Sequence, residues 1–360
     1  MIHYILLLIF NCLLYYLFGK KNRKLYLLLV FFSLLFMTTF RDINLGLGDT
    51  VNVHIPLFEK VKSLSIQEIF NEYSFVNGIL FALFAKMCTY ISDSYRVFLM
   101  LSALPFIIGS FLIINRYSKN TYFSMLILIT VNYFFCFLAV RQYFAMGFIL
   151  ISLNFIVDKR PVCFLLTIIT ASLIHFSAII FLPAYFYYMM IQKGFLNIIL
   201  VSSGIVVSLF FKNLIFNIIA YISPNYYYYY LDKGIYTKGD MFSLTWFLVL
   251  LVYLGLYYYV YHRKNNLFVL NKHERVDKIL FSILSMGIVV FCLSSVVVEF
   301  YRISYYFSIF AIILIPNLLE KIKDRNSKIF FKLSAQTLFI AYFFLSYLQN
   351  INCLNFAYGL

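Results

Sequence analysis

The chain has 360 residues, of which 63% are hydrophobic, 21% are aromatic and only 12% are charged. Apolar runs of roughly 20 residues recur along it, each long enough to cross a membrane as a helix, which excludes a water-soluble globule. The formal net charge of +15 does not indicate a nucleic-acid partner, because the basic residues form short clusters between apolar runs. The composition therefore predicts an all-α, polytopic integral membrane protein.

The first two apolar runs set the orientation. Residues 2–18 form the first predicted span, and a basic cluster at 20–24 follows it. Positive charge after the span and none before it predicts an uncleaved anchor whose N-terminus is periplasmic. The second span, residues 25–40, then emerges outside at Arg41. Residues 41–73 follow as the first long outer loop, and an amphipathic stretch lets this loop lie on the membrane surface.

The run 74–91 interrupts the simple alternation of spans. If it crossed the membrane, Arg116 and Lys119 would lie outside, and every later basic cluster would be inverted. Its short length and its embedded Lys86 favour a re-entrant helix instead, since such backbone is tolerated where protein buries it. We therefore predict one re-entrant helix at 74–91.

The remaining apolar runs predict spans that alternate in direction, giving about twelve crossings in one integral membrane domain, residues 1–360. They lie at 97–115, 121–140, 142–157, 162–175 and 177–192 (a pair that turns around His175), 195–211, 241–261, 279–298, 301–316 and 329–348. The other long loops are the outer loop 221–240 and the inner loops 262–278 and 317–328.

This topology, which follows from the inner basic clusters alone, places a second set of polar residues on the outer side. The set comprises Arg41, Asp42, Asp49, Arg141, His175, Glu299 and Arg302. A lone charge at the end of a span is commonly a snorkelling anchor. Several at one level predict a shared, outward-facing functional site, because charged groups at a membrane are costly to keep.

The three arginines of this set predict a binding site for a diphosphate head group. Arg141 and Gln142 interrupt an otherwise apolar stretch from residue 122 to residue 157. A planar guanidinium matches a phosphate and stays charged at any working pH, so Arg41, Arg141 and Arg302 are the expected substrate-binding residues. The alternative is that they form ion pairs with the acidic residues of the set.

The same set holds the candidates for a catalytic base, namely Asp42, Asp49, His175 and Glu299. A carboxylate or an imidazole close to an acceptor hydroxyl is needed to remove its proton. His175 lies where one predicted span turns into the next, so a structural role in capping this turn is the alternative. The sequence leaves the identity of the base open.

Signals for further ligands are weaker. Gln142, Tyr226 and Tyr227 are candidate sugar-binding residues, although the run of five tyrosines at 226–230 also fits an aromatic belt at the membrane interface. The five histidines and six cysteines are scattered without the spacing of a zinc site. We therefore predict neither a metal nor a cofactor.

Several short motifs, taken in order, resemble the EpsG family of polysaccharide polymerases, which is similar to the Wzy-type O-antigen polymerases. They are Arg41-Asp42 with Gly46 to Asp49-Thr50, Arg141-Gln142 with Ala145, His175 to Ala178, and Glu299 to Arg302. The chain departs from the family pattern at Val53, where a tyrosine is common, and after Glu72, where a proline is frequent.

The resemblance implies a glycosyltransferase that transfers a growing glycan from an undecaprenyl diphosphate carrier onto another lipid-linked repeat unit. The product would be O-antigen, as in lipopolysaccharide biosynthesis, or capsular polysaccharide, made on the periplasmic face of the bacterial inner membrane. The implied partners are the undecaprenyl-diphosphate-linked oligosaccharide, the lipid bilayer and a chain-length regulator protein. The alternatives are a flippase or other transporter of the lipid-linked oligosaccharide, a glycosyltransferase that uses a polyprenyl phosphate sugar, and a membrane acyltransferase that modifies the glycan.

Overall fold

The computed structural model describes residues 2–19, 21–41, 50–190, 194–211, 272–295 and 300–349, together with residues 214, 217, 221 and 255. Every regular element in these ranges is a helix, which confirms the all-α prediction. The α-helices are α1 (Ile2–Leu14), α2 (Arg23–Phe40), α3 (Ile55–Ser63), α4 (Ile66–Glu72), α5 (Ile79–Thr89), α6 (Tyr95–Tyr117), α7 (Thr121–Ile127), α8 (Phe135–Leu138), α9 (Val140–Val157), α10 (Pro161–Ile174), α11 (Pro183–Met190), α12 (Gly194–Phe210), α13 (Lys272–Cys292), α14 (Phe300–Ser308), α15 (Ala311–Glu320) and α16 (Arg325–Gln349).

Wider and tighter turns join some of these helices. Three π-helical segments occur in the described residues, at Tyr15–Gly19, Thr50–His54 and Leu128–Tyr133, and two 3₁₀ segments, at Phe176–Phe181 and Leu293–Ser295. Two compact units are distinguished, residues 1–179 with 312–360 and residues 180–311. The prediction of one membrane domain over 1–360 stays a prediction.

Five helical segments in the described part of the chain are long and apolar enough to cross a membrane. They are Arg23–Phe40, Tyr95–Tyr117, Thr121–Leu138, Val140–Val157 and Arg325–Leu345. A sixth arises if α14 and α15 form one span. The twelve crossings and the periplasmic N-terminus stay predictions, and most of the span expected at 241–261 lies outside the described residues.

The core of the first unit is the contact between α6 and α9, where the backbones approach closely. A Cβ added to Gly147 would lie 2.3 Å from the carbonyl carbon of Pro105, and one added to Gly109 would lie 2.6 Å from the Gly147 oxygen. Small residues permit such contacts between membrane helices. This contact holds the helix that carries Arg141 against α6.

The segment expected to be re-entrant contains α5, whose 11 residues extend about 16 Å, well short of a hydrocarbon core of roughly 30 Å. Its Lys86 donates to the carbonyl oxygen of Lys62 at 3.0 Å and lies 5.4 Å from the ring of Tyr90. Because Lys62 is in the last turn of α3, the ammonium group stabilises the negative end of that helix. The expected outer loop 41–73 thus contains α3 and α4, packed on α5.

The C-terminal helices of the first unit are tied to the turn between α6 and α7. The buried Asn317 of α15 accepts a bond from the Lys119 amide at 2.8 Å and donates to the Tyr117 carbonyl at 3.1 Å. The carboxylate of Glu320 accepts from Asn120 at 2.7 Å and pairs with Lys328. These bonds join segments that are about 200 residues apart in sequence.

In the second unit, α13 packs between α12 and α14. A Cβ on Gly204 would lie 2.9 Å from Val289, and a Cβ on Gly287 would lie 2.7 Å from the Cβ of Phe307. Phe307 also contacts Phe181, with ring centroids 5.2 Å apart. Packing of aromatic side chains against small residues therefore builds this core.

Candidate functional site

Arg41 lies at the end of α2 and is only 4% exposed. Its guanidinium lies over the ring of Phe137, 4.7 Å from the centroid, and donates to the hydroxyl of Thr50 at 3.3 Å. Burial lowers the pKa of Arg41 from its ordinary value, but that value is so high that the side chain stays charged. The structure therefore holds a fixed cation directly after the second helix.

Thr50 joins this cation to the rest of the first unit. The Thr50 hydroxyl is fully buried, accepts the bond from Arg41 and donates to the carbonyl oxygen of Phe137 at 2.7 Å. Thr50 also begins the π-helical segment Thr50–His54 that leads into α3. Thr50 is not among the predicted site residues, and its only signal in the sequence is its place in the Asp49-Thr50 motif.

Arg41 has donor groups that remain unused within the described part of the chain. Its Nε and Nη1 atoms are buried and have no hydrogen-bond partner there. Leaving N–H groups of a buried charge unpaired costs free energy. The arrangement therefore favours an anion that these residues do not themselves supply.

Arg141 lies in the first turn of α9 and is half-buried. Its Nη1 donates to the carbonyl oxygen of Asn77 at 3.1 Å. The next residue, Gly78, has a φ of +79° and precedes α5, and a Cβ there would lie 2.6 Å from the Ile174 oxygen and 3.4 Å from the Arg141 Nη1. Only glycine fits both the dihedral angle and this close approach.

His175 ends α10, and its backbone N–H donates to Ala171 at 2.9 Å. The imidazole Nδ1 is 2.7 Å from the hydroxyl of Ser177. The neighbouring Phe176 ring contacts Phe75, with centroids 5.5 Å apart. Residues 75–78 thus touch both Arg141 and the turn that carries His175. The capping role and the chemical role proposed for this histidine are both compatible with its position.

The helix breaks at Ala139, between Phe137 and Arg141. Ala139 has φ −125° and ψ 61° and separates α8 from α9. Arg41 lies on Phe137 before the break, and Arg141 is in the helical turn after it. Gln142, the neighbouring sugar-binding candidate, is buried. Arg41 and Arg141 therefore contact residues on either side of this break, and their forming one site with His175 stays a prediction.

The other predicted site residues are placed differently. Arg302 is half-buried on α14 of the second unit, so its joining the other two arginines stays a prediction. Outside the described residues lie Asp42, Asp49, Glu299, Tyr226 and Tyr227. In the part of the chain that is described, no group of three or more His, Cys, Asp or Glu residues could hold a metal ion.

These features define a class of protein, a multi-helix membrane protein with fixed cationic groups at helix ends. The EpsG family model matches residues 24–358, nearly the whole chain, and the protein belongs to this family of Wzy-like polysaccharide polymerases. Neither a curated protein nor a solved structure matches the chain. Membership assigns it to the membrane polysaccharide polymerases, whose activity is of the glycosyltransferase type.

Proposed function

We propose that this protein joins undecaprenyl-diphosphate-linked oligosaccharide repeat units into O-antigen or capsular polysaccharide on the periplasmic face of the inner membrane. The family match over residues 24–358 is the observation that carries this proposal. The fixed arginines beside the helix break add the chemistry, because the leaving group of this transfer is an anionic lipid diphosphate.

In this reaction the arginines stabilise the charge that develops on the leaving diphosphate. Arg41 is held by an aromatic ring and a hydroxyl, so little reorganisation is needed when charge appears beside it. Arg141 is more exposed and donates to the carbonyl oxygen of Asn77, and we assign the same role to Arg302. A guanidinium matches the geometry of a phosphate group, so arginines suit a diphosphate better than lysines do.

A base must take the proton of the acceptor hydroxyl. The candidates are His175, Asp42, Asp49 and Glu299, and of these His175 lies in the described part of the chain. Its Nδ1 is bonded to Ser177. If Nδ1 carries the proton and donates to the serine, Nε2 is the ring nitrogen that accepts the proton of the sugar hydroxyl. The base role of His175 therefore requires this tautomer.

The protein also has an apolar groove close to Arg41 that suits the tail of the lipid carrier. A groove of about 480 Å³ lies between α1 and α2 and is lined by nine residues from His3 to Met37. Since Arg41 directly follows α2, a polyprenyl tail in this groove would bring its diphosphate towards the buried cation.

The topology we propose has a periplasmic N-terminus, about twelve crossings and a re-entrant α5.

The direct test is conversion of a purified lipid-linked repeat unit into a ladder of longer glycans by the purified full-length protein. We expect a ladder with the repeat unit of the source organism. In cells, loss of a polymerase leaves a single-repeat surface glycan. Loss of a flippase leaves none, and loss of an acyltransferase leaves full-length chains without the acyl group, so either of these outcomes contradicts the proposal.

Arg141→Ala and Arg302→Ala should each abolish long chains without preventing membrane insertion, because each removes a cation that stabilises the leaving diphosphate. The measurement is the glycan length distribution on a gel at matched protein level. Arg160→Ala is the control, since Arg160 is an exposed arginine beyond the other end of α9. Normal chain length in both site variants would contradict the role of the arginines.

A further inference from the structure

A second groove runs along the membrane-facing side of α2 and α6 and has a volume of about 240 Å³. Its apolar lining consists of Leu27, Leu28, Phe31, Ile108, Phe111 and Leu112. Leu28 and Leu112 are each 51% exposed, whereas Leu27 and Phe111 are buried. The surface is therefore a depression with a buried floor and an exposed apolar rim.

The groove has one polar end, formed by Lys24 and Asn115. Lys24 is in the first turn of α2 and Asn115 is in the last turn of α6, so both lie where these spans leave the membrane. The adjacent Arg23 donates to the Ile114 carbonyl oxygen and fixes the two helix ends together. Both Lys24 and Asn115 are exposed, and neither side chain has a hydrogen-bond or ion-pair partner among the described residues.

We infer that this groove binds a phospholipid with an anionic head group. One acyl chain lies along the apolar lining, the Lys24 ammonium group pairs with the head-group phosphate, and the Asn115 amide donates to a phosphate or glycerol oxygen. The groove lining contains a cation and no acidic residue, so a net negative head group is favoured over a zwitterionic one, whose amine would add a second positive charge. The site is separate from the helix break at Ala139 and does not depend on the proposed reaction.

The competing interpretation is that Lys24 only snorkels and that lipids exchange freely along this surface. Native mass spectrometry of the purified full-length protein separates the two. The protein is equilibrated with equal amounts of dioleoyl phosphatidylglycerol and dioleoyl phosphatidylcholine, which have the same acyl chains. We expect phosphatidylglycerol to be retained about fivefold more than phosphatidylcholine, the effect of one lysine beside an anionic head group.

Matched variants locate the binding. Lys24→Gln should remove the about fivefold preference, whereas Lys21→Gln, which removes the same charge from an exposed residue outside the groove lining, should preserve it. Leu112→Trp should fill the groove and reduce retention of both lipids, whereas Leu338→Trp, at a position that is 69% exposed on α16, should not. Equal retention of the two lipids, no retention of either, or equal effects of the two lysine variants would overturn the inference. Helix content by circular dichroism identifies any variant that has not folded.

Discussion

At the scale of single residues, the position of Arg41 depends on one hydroxyl group. Thr50 accepts from the guanidinium and donates to the Phe137 carbonyl oxygen, so the same oxygen atom joins α2, the outer-loop helices and α8. A serine offers the same donor and acceptor. A valine has the shape of threonine but neither a donor nor an acceptor. The two substitutions therefore separate the effect of the hydrogen bonds from that of side-chain shape.

Thr50→Val should lower stability by about 1–3 kcal/mol, because a buried carbonyl group and a buried cation each lose a partner. It should also shorten the glycan chains, since Arg41 is no longer fixed on Phe137. Thermal unfolding in detergent and the glycan length distribution measure the two effects. Thr50→Ser should restore most of the chain length, and normal chains in the valine variant would show that Arg41 does not need this bond.

At the scale of helices, the contact between α6 and α9 leaves no room for a side chain at Gly147. A Cβ there would lie 2.3 Å from both the carbonyl carbon and the oxygen of Pro105. Backbone atoms cannot rotate away as a flexible side chain can, so the two helices must separate. Because Arg141 is on α9, this separation would also shift the site.

Gly147→Ala should therefore destabilise the protein by about 1–3 kcal/mol, the usual cost of overpacking. Gly255→Ala is the matched control, because a Cβ at Gly255 would meet nothing within 4 Å in the described part of the chain. The measurement is the midpoint of thermal unfolding of both variants in the same detergent. An unchanged midpoint for Gly147→Ala would mean that α6 and α9 are not as closely packed as described.

At the scale of the whole molecule, the side of the membrane reached by each loop depends on α5. If α5 is re-entrant, the turn before α6 is outside and the turn before α16 is inside. Asp93 and Asp324 are exposed residues in these two turns. If α5 crosses, every later loop changes sides, so these two positions exchange their locations.

In a cysteine-free background, Asp93→Cys should react with an impermeant maleimide added from outside, and Asp324→Cys should react only after permeabilisation. Asp49→Cys, which precedes α5, should react from outside in either case, and Leu270→Cys should stay protected if α5 is re-entrant. The measurement is the extent of labelling of each single-cysteine variant. The reverse pattern at positions 93 and 324 would establish that α5 crosses the membrane.

Continuous apolar runs predicted the helices more accurately than the contacts between them. The spans expected at 121–140 and 142–157 correspond to Thr121–Leu138 and Val140–Val157, because hydropathy and helix length are local properties. The hydrogen bond from Thr50 to Phe137 joins residues 87 positions apart, and no local sequence pattern predicts such a contact. The sequence shows that Lys86 is an unusual charge within an apolar run. Its hydrogen-bond partner at the end of α3 is evident only from the fold.

The π-helical segment Leu128–Tyr133 has a consequence for how this sequence tolerates change. A π turn contains one residue more than an α turn, and one residue corresponds to about 100° of rotation around a helix axis. If this segment became a regular α-helix with all its residues kept, the extra residue would rotate Phe137 by about 100° relative to the part of the helix before it. The wide turn therefore keeps the aromatic ring over Arg41, and a one-residue deletion should be tolerated better within this segment than in the regular helix that follows, where it would turn the ring away.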